Sequence, residues 1–115
     1  MMQSVFDIER TTQAWRTLHL YLCDMALHGD VHAKRSLNAM CGLATIPLLE
    51  PCLTLDAPGT DAQAFANVLF EHYAFTFGTL ENATMVARYL FHRKNHNDVH
   101  AQETLNQVAQ VLLEE

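Results

Sequence analysis

A chain of 115 residues, half of them apolar, is long enough for one self-sufficient core and too hydrophobic to stay disordered. Its net charge of −6 is unevenly spread: no Lys or Arg occurs between Ser36 and Ala87, where Glu50, Asp56, Asp61, Glu71 and Glu81 lie. That balance repels phosphate backbones, which argues against direct nucleic-acid binding and favours a protein partner, a basic one foremost.

The first ten residues, MMQSVFDIER, have neither the basic start nor the apolar run of a secretory signal. Cys23, Cys41 and Cys52 follow no disulfide or zinc spacing and fit buried thiols, so a cytoplasmic location is expected. Ser4 is placed to cap a first helix over 5–27. Ile8, Trp15, Leu18, Leu22 and Met25 recur on one face of it, widened by Ala14 and Tyr21. Gly29 reads as its stop and Asp30 as the cap of the next helix. That second helix is expected over 31–46, with Val31, Leu37, Met40, Cys41 and Ala44 inward and Pro47 ending it.

Residues 47–60, PLLEPCLTLDAPGT, form the one long irregular connection. Its prolines make it stiff, and Leu48, Leu49, Leu53 and Leu55 make it apolar enough to serve as a lid or an interface. A third helix follows over 61–77, with Thr60 and Gln63 at capping-box spacing. Ala62, Ala66, Leu69, Phe70, Tyr73 and Phe77 share one broad face. Ala64, Val68 and Phe75 make a second stripe, so this helix is expected to be the buried centre. It is too short and too polar to cross a membrane, and no membrane association is expected. Gly78 ends it and Thr79 caps a fourth helix over 79–95, which closes on His92, Arg93, Lys94 and His96, cations that suit the negative end of the helix dipole. Asn97–Asp98 is the next turn and cap, and the last helix, over 98–113, turns Ala101, Leu105, Val108 and Leu112 inward. The fold class is therefore all-α: a compact five-helix bundle of αα-hairpins in a single domain, 1–115, with no sheet.

Tyr21–Asn38 aligns without gaps on Tyr89–Asn106, with identity at nine of eighteen positions. The shared pattern is helix end, turn, Asp cap and helix start. It is one elbow used twice, short of the three or more repeats that a solenoid requires.

Seven histidines raise the question of metal. His28 and His32 are four apart, as are His92, His96 and His100, a spacing that lets imidazoles share an ion on one continuous helix. Both elbows break the helix between them, so the histidines are expected to bond helix-terminal carbonyls, and no metal or other cofactor is expected. No nucleophile motif, phosphate loop or metalloprotease signature occurs, so no enzymatic activity is expected and no residue is assigned a catalytic role. The class that remains is a small acidic cytosolic protein-binding module. Within it, an inhibitor or immunity-type protein that neutralises a basic partner, such as a toxin, stands first. Glu50, Leu53, Leu55, Asp56, Asp61, Glu71 and Glu81 are its candidate contact residues. An adaptor, chaperone or regulatory subunit is the alternative within this class; a His-rich metal- or ligand-binding bundle is the alternative outside it.

Overall fold

The structure, a computed structural model, describes residues 5–43 and 59–113, with side chains from residue 8 onward. Five helices run through them: α1 (Val5–Leu27), α2 (Val31–Met40), α3 (Thr60–Phe77), α4 (Leu80–Asn95) and α5 (Val99–Leu113). The described residues contain no strand. Two hairpins, α1–α2 and α4–α5, pack with α1 against α5 and α2 against α4, while α3 lies mainly on α4.

The repeated elbow explains this arrangement. In each copy a residue with positive φ, Gly29 (91°) or Asn97 (68°), turns the chain out of the helix. The amide that follows then bonds back to the last turn: Asp30 N–H donates to the Met25 carbonyl at 3.1 Å and Asp98 N–H to the Arg93 carbonyl at 3.0 Å. Each Asp next caps its own helix through Oδ1. Asp30 accepts from the amides of His32 (2.9 Å) and Ala33 (3.2 Å), Asp98 from those of His100 (3.0 Å) and Ala101 (3.1 Å). The second oxygen of each carboxylate reaches into the other hairpin. Tyr21 donates to Asp98 Oδ2 at 2.8 Å, and Tyr89 donates to Asp30 Oδ2 at 2.7 Å. The two rings lie between the elbows, 6.4 Å apart.

Swapping the two hairpins, α3 aside, therefore exchanges equivalent bonds, as a pseudo-two-fold axis would. Burial follows the same correspondence: Leu18 with Val86, Leu22 with Leu90, Ala33 with Ala101 and Met40 with Val108 are all core. The correspondence is not complete, and His32 is buried where His100 is exposed. Thr104 donates to the His100 carbonyl at 2.8 Å, whereas Ser36, at the matching place in α2, buries a hydroxyl that has no partner among the described residues.

Several sequence expectations need correction. The second helix stops at Met40, not near residue 46, because Gly42 (φ 74°) makes the same stop as Gly29 and Leu43 N–H bonds back to Asn38 O at 3.0 Å. Cys41 follows the helix and is exposed, so neither its inward placement nor its burial holds. Ala44, Pro47 and Ser4 lie outside the described residues. The Thr60–Gln63 capping box does not form: Thr60 is already helical, Gly59 is the cap residue, and the Gln63 amide bonds the Gly59 carbonyl. Ile8 is half exposed, outside the core face of α1. Nor is α3 the centre. That place belongs to α4, which packs on α2, α3 and α5 and buries Ala83, Val86, Ala87, Tyr89 and Leu90.

The two Tyr–Asp bonds are not equal, since the second carries an extra cation. Arg93 brings Nε to 3.1 Å and a terminal nitrogen to 3.0 Å of Asp98 Oδ2, while Met25 stands at the matching place in the first elbow. Tyr89→Phe leaves Asp30 Oδ2 with no donor among the described residues, and is expected to cost about 1–3 kcal/mol in denaturant unfolding. Tyr21→Phe should cost less, because Asp98 keeps Arg93; equal costs would contradict the asymmetry.

All three tyrosines of the chain titrate above their ordinary value of 10.0, burial being the first cause; Tyr73 is pushed up to about 12. The bonds to Asp98 and Asp30 raise Tyr21 and Tyr89 further. The folded chain thus keeps phenol protons that the unfolded chain releases, so stability falls as pH rises above about 10. Tyrosinate absorbance is expected to appear only together with the loss of helical circular dichroism; free titration near pH 10 would contradict it. Asp98 acts in the opposite sense. Burial works against its charge, but Tyr21, the Ala101 amide and Arg93 outweigh it and hold the carboxyl below 3.8. Its contribution is present above that value and is lost as pH falls through the lower folded pKa.

Candidate functional site

Residues 61–77 read as one helix, but the backbone departs from helical geometry at Tyr73 (φ −129°, ψ 34°). The cause lies in what Tyr73 and the following turn hold. The Tyr73 hydroxyl donates to the Thr11 carbonyl on α1, and the Tyr73 ring packs 4.7 Å from Trp15, which also meets Phe77 edge-on at 5.2 Å. Satisfying α1 with Tyr73 and the core with Phe77 re-aims the last turn of α3. Phe77 is fully buried and Phe75 stands wholly in solvent. The second apolar stripe is corrected accordingly: Ala64 is exposed, Val68 half-buried and Phe75 outside the core altogether.

Phe75 does not stand by itself. Gly42 approaches the same turn so closely that a Cβ there would lie 3.0 Å from the Thr76 carbonyl oxygen, and Leu43, the next residue, is exposed. Across Gly78, Thr79 caps α4 by accepting from the Asn82 amide at 3.2 Å, while Asn82 Nδ2 donates to the Phe77 carbonyl at 2.7 Å. That fixed turn presents exposed Leu80 beside Glu81. Glu71, also exposed, lies four residues before Phe75, on the other side of the break at Tyr73. The α2 terminus and the α3–α4 turn thus meet at a corner whose segments carry the exposed apolar residues Phe75, Leu43 and Leu80 and the exposed Glu71 and Glu81.

Of the contact residues expected from sequence, Glu71 and Glu81 belong to this corner. Asp61 lies at the opposite end of α3, and Glu50, Leu53, Leu55 and Asp56 are outside the described residues. Phe75, Leu43 and Leu80 were not expected there. Periodicity puts Phe75 in a buried stripe, and the signal needed to move it, the break at Tyr73, accompanies contacts with α1 that periodicity does not carry.

Of the elbow histidines, His28 makes the expected bond to a carbonyl of the last helical turn. His28 Nδ1 donates to the Asp24 carbonyl at 2.7 Å, and His92 and His96 stack with ring centres 4.3 Å apart. His100 is exposed beside Glu103, and His32 is buried. Among the described residues, no three His, Cys, Asp or Glu side chains converge as a metal site would require. None of the helices among those residues is long and apolar enough to cross a membrane. Comparison of the chain with protein-family models, with curated proteins and with solved structures finds no match.

The contrast between the two rings yields a direct check. Phe75→Ala is expected to change unfolding free energy by no more than about 0.5 kcal/mol. Phe77→Ala should cost about 3–5 kcal/mol, because transfer and cavity terms add in a filled core. Comparable costs from the two substitutions would mean that the turn after Tyr73 is aimed differently.

Proposed function

We propose that the chain is a non-catalytic protein-recognition module that grips a basic partner at the Phe75 corner. Inhibition of the immunity type, in which an acidic surface covers the basic cleft of a toxin, is the form of recognition placed first. The observation that carries the reading is the full exposure of Phe75 on a bundle whose Trp15, Tyr21, Tyr73, Phe77 and Tyr89 rings are buried or half-buried. Holding an aromatic ring in water while its neighbour two residues on is buried gives nothing to folding, and aromatic anchors dominate many interfaces. Leu43 and Leu80 enlarge the apolar centre, and Glu71 and Glu81 supply a charged rim, the usual arrangement of a recognition surface. The absence of Lys and Arg between Ser36 and Ala87 gives that rim one sign, which speeds encounter with a basic surface and rejects acidic ones.

The test is quantitative affinity capture from the producing cells, with the wild-type chain, Phe75→Ala, and Glu71→Lys/Glu81→Lys as baits. A basic protein should be enriched by the wild type and retained about ten-fold less by Phe75→Ala. The charge-reversed bait should lose it as well, and rising salt should weaken the wild-type capture. Capture that is equal across the three baits, or confined to acidic proteins, would overturn the reading.

A further inference from the structure

A second feature lies at the other end of α3 and is independent of the Phe75 corner. Helices α3, α4 and α5 leave between them an open groove of about 330 Å³. Phe65 and Phe91 form part of its wall, edge to face with ring centres 5.9 Å apart, and Val68, Leu105 and Ala109 continue the apolar lining. Leu113, the last residue of α5, also lines it. Leu105 and Leu113 lie eight residues apart on that helix, which makes the trough about 12 Å long.

Two opposite charges stand at one end of this trough. α3 and α4 run antiparallel through the tight turn at Gly78, and Phe65 meets Phe91 across the pair. Asp61, one turn before Phe65, and Lys94, one turn beyond Phe91, therefore share the end nearer the second elbow, and both line the groove. Lys94 holds its Nζ 5.3 Å from the centre of the Phe91 ring. Among the described residues, Asp61 and Lys94 form no ion pair with each other or with any other side chain.

We propose that this groove binds a single-chain amphiphile with a zwitterionic head. The trough suits one aliphatic chain, and its volume, at the low end of small-molecule sites, leaves no room for two. The head follows from the charges. A purely anionic head gains Lys94 and meets Asp61 as well as the chain's overall negative charge; a purely cationic head meets the reverse at the mouth. A head that carries both signs is attracted by both side chains. Its cationic group lies toward Asp61 and its anionic group toward Lys94, while the chain covers Phe65, Phe91 and Ala109. No covalent step is involved.

The experiment titrates the tag-free chain with decylphosphocholine, decanoate and decyltrimethylammonium, each below its micelle-forming concentration, and with free leucine. Amide chemical shifts report both the site and the affinity. The zwitterion should bind at least about ten-fold more tightly than either singly charged chain, with shifts centred on Phe65, Phe91 and Ala109. Ala109→Trp fills the trough and should abolish binding. If that variant does not fold, Ala64→Trp fills the same groove from an exposed position on the α3 wall. Asp61→Asn should move the preference toward decanoate, and Lys94→Ala toward decyltrimethylammonium. Four outcomes would overturn the proposal: no binding of any probe, equal binding of the three heads, binding that survives a filled groove, or leucine binding as tightly as decylphosphocholine. The Phe75→Ala variant should bind the amphiphile like the wild type, so failure here is separable from failure of the protein-partner reading.

Discussion

Each elbow is fastened by a tyrosine from the opposite hairpin, and the rest of the architecture depends on that exchange. A helix-capping Asp uses one oxygen for its own helix and has another to spare. Here the spare oxygen of Asp30 takes the Tyr89 hydroxyl and that of Asp98 takes the Tyr21 hydroxyl, at 2.7 and 2.8 Å. A hydrogen bond to a charged acceptor in a partly buried place is among the stronger local contributions, on the order of 1.5–3 kcal/mol. It also couples two levels of structure, because the group that ends one helix and starts the next is the group that docks the hairpins. Local turn and tertiary packing thus require each other, and the buried pairs Leu22 with Leu90 and Ala33 with Ala101 complete the same pseudo-symmetric core.

The two proposed binding features sit where that symmetry breaks. Only the second hairpin carries an additional helix. On α4, the line through Phe91 runs back over Ala87 and Thr84 to Leu80, small or apolar residues that suit a packed helix. Continuing the repeat alignment, the matching line on α1 is Cys23, His19, Arg16 and Thr12, of which the last three are exposed. α3 therefore has a place on one half and none on the other. One end of α3 makes the Phe75 corner against the α2 terminus and the α3–α4 turn; its other end makes the groove against α4 and α5. Both candidate binding features are products of the one helix that the repeat does not account for.

What could be read from the sequence was local. Asp30, Gly29, Asp98, Asn97 and Thr79 announce caps and stops whose chemistry involves a few neighbouring residues, and they fall where expected. The repeat itself was visible, and so was the doubled elbow. Its consequence was hidden, because Tyr21 and Tyr89 read as core residues and nothing in a 3.6-residue period says which carboxylate a phenol will find across the molecule. The end of α2 was misplaced because Pro47 looked like the stronger stop, although Gly42 can adopt the left-handed turn already used at Gly29. The choice of α3 as centre failed for a related reason. Apolar content measures how much a helix could bury, while α4, with its small residues Ala83 and Ala87, admits neighbours on more sides. Charge counting picks out Glu71 and Glu81, both exposed, whereas the exposure of Phe75 depends on the break at Tyr73.

The reciprocal lock is tested most directly by amide hydrogen exchange in the Tyr89→Phe chain. If each tyrosine secures the opposite elbow, the amides of His32 and Ala33, which Asp30 caps, should lose protection. Those of His100 and Ala101 should keep theirs, since Tyr21 and Arg93 still hold Asp98. Unchanged protection at both elbows, or an equal loss at both, would contradict a lock that crosses from one hairpin to the other.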